Sequence, residues 1–535
     1  MLATACGGGG GGHSASLAAP SGLTYPANPV VATVGNALAP DTPSSGGGAV
    51  ATYTVQPALP AGLTLDSGTG VIQGTPTAAT AVADYTVTAA NSAGNTTAKL
   101  TLTVNVPSIA SFSVGPDQTL TYPSNQANPP YLVDLPDEHT TFIPLGTAAD
   151  GYLVFAASRI NTVPTGGGAV VLQTTDLSTF QYATSLGYTN QPVMTAPVPF
   201  TQCQPAYATE FDENYAAPGA VVQDPTLPAG NLIMLFEAEN HCPGGVNQTP
   251  YYATVGFARS ADNGKTWPSP ENGTLGGANR YPVLTPPNPQ PSTASTIALG
   301  NAVPSGFVDT LDPSGPYLYV VYVYNSGGLT PASDGRLRVA RAKLGSTAPT
   351  FTKWYQGSFS QPGIGGLDSG VVSVPNCTGY QAMGQISYND DLGAYLLTFF
   401  SKCGATGAWY YATATSLALQ DWSQPQVITG SQGPFTTPCS GKTSGGSFDG
   451  FYPSFMSPGA AAGHTKLTGK AFFLSGCDQG ARTFVGRDYT ITLGAPSAAS
   501  SPAIDAHQAP LRRVWREVRT EPSRTVYSLV GRLPR

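Results

Sequence analysis

Five short apolar runs, spaced roughly eighty residues apart, restrict what this chain can fold into more than any other feature of it. They are GYLVFAAS (Gly151–Ser158), LIMLF (Leu232–Phe236), PYLYVVYVY (Pro316–Tyr324), AYLLTFF (Ala394–Phe400) and AFFLSG (Ala471–Gly476). Runs this short, bounded by turn residues, read as strands buried on both faces. Each follows a strand-like piece that carries a Pro or a small residue: FIPL, APGAVV, VPSGFVD, AMGQISY and YPSFM. Each precedes a third strand: AVVLQTTD, ATVGFARSAD, LRVARAK, YYATATS and FVGRDYTIT. Four units then reach an aromatic closer, at Phe180, Trp267, Phe351 and Trp422, whereas the fifth has no fourth strand after Leu493. A circular array accepts that gap if an N-terminal segment fills it, and IASFSVG or YLVDL is the candidate. The reading is an all-β chain with a five-bladed β-propeller over residues 129–495. Its long loops lie on the two faces, because a lean blade needs only ~40–50 residues.

The remaining segments differ in composition. Residues 19–106 alternate apolar and polar positions (YTVTAA, AKLTLTV) between Gly/Pro turns, the pattern of a small Ig-like β-sandwich. A linker, 107–128, joins it to the propeller. The 63 Gly and 49 Pro in 535 residues, with 10% charged residues, suit turn-rich structure exported from the cell. A net charge of −7, spread along the chain, argues against nucleic acid as a partner. No apolar run reaches the ~20 residues of a membrane-spanning helix. Residues 496–535 form an Arg-rich tail. Leu511, Val514, Trp515 and Val518 would stripe a basic helix suited to a membrane surface, and a disordered tail is the plainer alternative.

The start, MLATACGGGGGGHS, places small residues before Cys6 and a Gly run after it. It resembles the end of a bacterial lipoprotein signal with its tether (residues 1–18). The resemblance implies lipidation at Cys6, membrane attachment through that lipid, and a secreted or cell-surface protein. The other six cysteines lie in the propeller, an even number that suggests disulfides in an exported chain. Pairing in sequence order would join Cys203 to Cys242, Cys377 to Cys403 and Cys439 to Cys477. None shows the tight spacing of a zinc site.

Ser260-Ala261-Asp262-Asn263-Gly264-Lys265-Thr266-Trp267 spells S-x-D-x-G-x-T-W and resembles the Asp-box of sialidases and related propellers. In such a hairpin the Asp ties down turn amides, the Gly takes a positive φ and the Trp plugs between sheets. Sialidases place an Arg before Ile-Pro to clamp a carboxylate; here Phe142 stands at that position, so the likeness is architectural. Leu59–Leu65 and Gly70–Pro76 resemble the putative-Ig (cadherin-like) modules of bacterial surface proteins, which serve as spacers or adhesive elements. YYATATSLALQDWSQPQVI and the blade count are similar to five-bladed glycoside hydrolases of the arabinanase and fructosidase type. That resemblance implies catalytic acids on the inner strands of successive blades, with Glu213 and Asp309 in roughly such places.

Propellers bind ligands at one mouth of the central channel, so useful acids belong at inner-strand ends or in the loops above. Asp137, Glu138, Glu210, Asp212, Glu213, Glu237, Glu239, Asp309, Asp368 and Asp449 meet that description. Glycoside hydrolysis needs one protonated and one ionised carboxyl, and the pool for them is Glu213, Glu237, Glu239, Asp309, Asp368 and Asp449. If the strand continues, Glu237, Glu239 and His241 share a face, at i, i+2 and i+4. Tyr215, Asn301, Gln385 and Tyr452 are the candidate substrate-binding groups. No cofactor or catalytic metal is expected, although a structural cation such as calcium is compatible with the acids. The expected partner of this monomer is a carbohydrate polymer or oligosaccharide. A carbohydrate-binding or adhesion propeller is the alternative. A polysaccharide lyase is another, with His139, His241 or His464 as base.

Overall fold

The computed structural model describes residues 17–494 apart from 124–129, 131, 134, 148, 161–166, 198–210, 242–250, 268–279, 289–298, 327–332, 347, 378, 404–405, 431–446 and 478–481, and also 515–519 and 525–529. Among these residues the structure is β throughout except for one 3-10 turn, Ala183–Leu186. Among the described residues no helix is long and apolar enough to cross a membrane.

The first domain is an Ig-like sandwich. One sheet runs Val30–Thr33, Gly94–Asn105, Thr80–Asn91, Thr52–Gln56, and a second Leu38–Asp41, Ile72–Gly74, Leu63–Leu65. Inward positions of both supply its core, with Val30, Tyr53, Ile72, Val87, Leu100 and Leu102 buried. Alternation along the two long strands gives the expected in–out pattern.

The propeller follows as antiparallel meanders. Blade one is Thr141–Pro144, Tyr152–Ile160, Gly168–Thr174, Gln181–Tyr182, and blade two Tyr215–Gln223, Leu232–Asn240, Tyr252–Ser260, Arg280–Leu284. Blade three is Leu299–Asp309, Tyr317–Asn325, Leu337–Lys343, Phe351–Tyr355, and blade four Gln381–Asn389, Ala394–Cys403, Thr406–Ala414, Gln426–Val427. The last meander, Ser447–Met456, Thr468–Cys477, Arg482–Leu493, takes its fourth strand from Ile109–Val114, where Phe112 faces Ile491 across the ladder. Of the two closing candidates IASFSVG therefore does the work; Leu132–Val133 pairs instead with Tyr152–Ile160. The second strands are buried on both faces, Leu232–Asn240 along its whole length, because each is sandwiched between neighbouring blades.

Inner strands touch in a closed sequence. The Val221 amide donates to Thr141 Oγ1 (3.0 Å), and Ser305 Oγ donates to the Gly384 carbonyl (2.5 Å). The Phe455 amide donates to Gln385 Oε1 (2.8 Å) and the Thr140 amide to Ser454 Oγ (2.7 Å). In blades two, three, four and the last, the Pro and small residues of the inner strand mark bulges, with register shifts at Pro218/Ala220, Ala302/Ser305, Ala382/Gln385 and Phe451/Ser454; Thr141–Pro144 pairs in regular register. Gly219 is needed there, since a Cβ would sit 1.9 Å from the Pro304 carbonyl.

The Ser260–Trp267 turn is held by its own side chains. Asp262 accepts from the Thr266 amide (3.0 Å) and hydroxyl (2.6 Å), Gly264 has φ +83°, and Trp267 Nε1 donates to the Gly264 carbonyl (2.9 Å). Trp267 meets Phe155 of blade one edge-on, so the turn fastens two blades. Asp176 and Asp421 tie the corresponding turns of blades one and four. Asp262→Ala is expected to cost about 1–2 kcal/mol, read as a lowered urea midpoint, since it frees the Thr266 amide and hydroxyl.

Cys377 and Cys403 form a disulfide within blade four. Cys6, Cys203, Cys242 and Cys439 lie outside the described residues, as does the side chain of Cys477. In the Arg-rich tail, Trp515–Arg519 and Thr525–Leu529 pair antiparallel, where the sequence suggested a helix or no structure.

Candidate functional site

Inner strands all run the same way through the ring, so residues that precede them gather at one mouth of the channel. Asp137, Glu138 and His139 precede Thr141–Pro144, and Asp212, Glu213 and Asn214 precede Tyr215–Gln223. The second strand of blade two runs antiparallel and brings its end to the same mouth: Glu239 lies opposite Tyr215 and Glu237 opposite Ala217. Asn301 and Val303 come from the start of the blade-three inner strand and Tyr452 from that of the last blade.

These residues form one chain of hydrogen bonds. Glu138 is hydrogen-bonded to Glu237, and Glu237 to Glu239. Glu239 Oε2 lies 2.8 Å from His241 Nε2. The His241 amide donates to Asn214 Oδ1 (2.8 Å), and the Asn214 amide donates to the Glu239 carbonyl (3.0 Å). Strand parity explains the core of it, since alternate residues Glu237, Glu239 and His241 emerge on one face. A bulge explains its fourth arm. Val303 sits at φ 51°, a costly conformation for a β-branched residue, and aims its amide at Glu237 Oε2 (2.5 Å). Tyr215 donates to Asp137 Oδ2 (3.2 Å) and to the Asp137 carbonyl (3.1 Å). His139 Nδ1 lies 2.7 Å from the Pro453 carbonyl, which can only accept, so that nitrogen carries the ring proton.

Burial governs the protonation states. Glu138, Glu237, Glu239, His139 and His241 are all buried. Burial, then the Glu239 charge, pushes Glu237 up to about 8; burial raises Glu239 to about 8. Glu138 is held well above the carboxylate range by burial and by Glu237. Burial pushes His139 and His241 down to about 4, so both imidazoles are neutral at pH 7. Close carboxyls in a dry pocket cannot all ionise, and here protons are shared among three of them. Tyr251, 5.2 Å from the His241 ring, and Tyr452, 6.4 Å from that of His139, flank the cluster. Among the described residues no group of three or more His, Cys, Asp and Glu is arranged to hold a metal ion.

Other sequence candidates fall elsewhere. Asp309 ends its inner strand and lies at the opposite mouth, roughly 20 Å away along the strand. It accepts from the Tyr395 hydroxyl (2.8 Å) and the Leu311 amide (2.9 Å). Asp368 is the counter-ion of Arg338 and Lys353 inside blade three. Gln385 is occupied at both ends by the Phe455 backbone, which makes it a clamp between blades. Glu213 is fully buried beside the cluster, where its charge acts on His241. Asp212 is spent on an ion pair with Arg280. Asp449 lies on the strand Ser447–Met456, its side chain outside the described residues. Glu138, left out of the six-residue pool although it precedes an inner strand, is central to the cluster. A cavity of about 320 Å³ touches all the inner strands farther toward their ends, and its lining includes His139 but none of the three clustered carboxyls.

Residues 20–107 match the family model described as Putative Ig domain. No curated protein matches the chain. Solved structures similar to it include an α-L-arabinofuranosidase from Podospora anserina (11% identity, TM-score 0.35, 73% of this chain and 99% of that one). Others are a glycosyl hydrolase from Bacteroides ovatus (11%, 0.37, 71% and 90%) and a fructofuranosidase from Schwanniomyces occidentalis (10%, 0.36, 75% and 68%).

Proposed function

We propose that this protein is a glycoside hydrolase whose acid and base come from the Glu138–Glu237–Glu239 cluster. The observation that carries the reading is the shared protonation of buried carboxyls at the channel mouth, with two of them pushed to about 8. A carboxyl that keeps its proton at neutral pH can donate it to a departing glycosidic oxygen. The Glu138–Glu237 pair fills that role. Glu239, itself raised to about 8 and bonded to His241, takes a proton from the attacking water only in the molecules in which it has ionised.

One observation favours a binding protein instead. Glu138 and Glu237 are in hydrogen-bond contact, closer than the ~5–5.5 Å of a retaining pair or the ~6.5–9.5 Å of an inverting one. A sugar has to part them for catalysis to occur.

The full chain assayed on arabinan, xylan, mannan and fructan for new reducing ends separates the two. Hydrolysis of at least one is expected, and Glu237→Gln or Glu239→Gln should lower it by on the order of 10²–10⁴-fold while binding persists. Binding by the wild type without product leaves the lectin reading standing.

A further inference from the structure

Asn301, at this mouth, takes no part in the hydrogen bonds of the acid cluster among the described residues. It is fully buried, and neither its oxygen nor its nitrogen has a hydrogen-bond partner among the described residues. A buried amide in that state is costly to the fold, and polar groups are seldom left so without a reason.

Register shows where it faces. Asn301 lies opposite Tyr324 in the blade-three ladder. Leu318, Val320 and Tyr322 alternate with Tyr324 on the face that packs against Ile233, Leu235 and Val255 of blade two. Continuing the blade-two strand past Ile233 and Leu235, the next residues on that face are Glu237 and Glu239. Asn301 is thus turned toward the side of blade two that carries the acids. Two residues on, Val303 places its amide on Glu237. The backbone is pinned from behind as well: Gly300 has φ +116°, and a Cβ there would lie 2.0 Å from the Ala253 carbonyl. Across the ladder, the Tyr324 hydroxyl accepts from Asn288 Nδ2 (2.8 Å). Glu138 Oε2, in the same cluster, is another buried polar atom without a hydrogen-bond partner among the described residues.

We propose that Asn301 is the specificity-determining residue of this site, reading a neutral sugar through two hydroxyl groups. One hydroxyl accepts from its Nδ2 and the other donates to its Oδ1. An amide offers a donor and an acceptor side by side, which a diol matches in full. A carboxylate supplies acceptors alone and an ammonium donors alone, so uronic acids and amino sugars are disfavoured at this position. The inference rests on the site being a sugar site and adds the chemistry by which it selects.

Asn301→Leu keeps the shape and removes both polar atoms. Its melting temperature is expected to equal or exceed that of the wild type, because no bond within the protein is lost. Calorimetric binding of neutral arabino-, xylo-, manno- and fructo-oligosaccharides should weaken by about 10–100-fold for whichever the wild type binds. Asn301→Asp, which keeps the acceptor and loses the donor, should weaken it too. A lowered melting temperature with unchanged affinity would mean a structural amide and overturn the proposal, leaving the hydrolase reading intact. Failure of the wild type to bind any of the four classes would overturn both.

Discussion

Between pH 6.5 and pH 8 the folded protein is expected to lose stability as the pH rises, by on the order of 2–3 kcal/mol. The sign follows from the carboxyl cluster. Glu237 and Glu239 have folded pKa values raised to about 8, against ~4.3 in an unfolded chain. The folded state therefore holds protons that the unfolded state has released. The stability these groups contribute is complete below their unfolded pKa and is lost as the pH climbs through the folded one. Glu138, raised still further by burial, adds to the same trend. His139 and His241 act oppositely, because burial lowers them to about 4, but their effect fades between pH 6.5, where the unfolded imidazole is half neutral, and about pH 7.5. Lys353, lowered to about 8, favours the folded state as pH rises, and matters mainly above pH 8. The carboxyls therefore dominate the window from 6.5 to 8. Urea midpoints across it should fall for the wild type and fall less steeply for Glu237→Gln, whose amide cannot ionise. A flat or rising profile in the wild type would mean that the cluster does not hold its protons.

How much of this was legible in sequence depended on whether the cause was local. The blades could be read because a strand covered on both faces must be apolar along its whole length, as in Leu232–Phe236. The Glu237–Glu239–His241 face was readable for the same reason, since it needs only strand parity. Strand direction was legible too, and it sorts the acids: Glu138 and Glu213 precede inner strands, whereas Asp309 ends one and lies at the far mouth. The contact between Glu138 and Glu237 was not readable, because it depends on how blades one and two pack. Nor were the bulges. Val303, Met383 and Tyr452 all sit at positive φ. Nothing in a β-branched or bulky residue announces that conformation. The ring of inner-strand contacts holds these residues there.

Asp368→Asn is expected to destabilise the fold by about 3–5 kcal/mol and to leave hydrolysis per folded molecule unchanged. Asp368 qualifies as a candidate acid by its place in a Gly-rich loop, yet its surroundings make it a counter-ion. Its side chain is 2% exposed; Oδ1 accepts from Arg338 Nε (2.8 Å), and Oδ2 accepts from the Tyr322 hydroxyl (2.9 Å). Lys353 Nζ stands 3.8 Å away, itself wholly buried, donating to the carbonyls of Thr285 (2.7 Å) and Gly366 (2.9 Å). Arg338 has a second carboxylate, Asp334, but that partner is 44% exposed and screened by solvent. Neutralising Asp368 leaves two buried cations facing each other across a site that no longer holds a full negative charge. Lys353 can relieve part of this by losing its proton, since its pKa already lies near 8 and Asp368 is what holds it up. The loss should therefore be smaller at pH 9 than at pH 6, the reverse of the wild-type trend between pH 6.5 and 8. Guanidinium unfolding at the two pH values measures it. A cost below about 1 kcal/mol, or a loss of hydrolysis at unchanged stability, would return Asp368 to the list of catalytic acids.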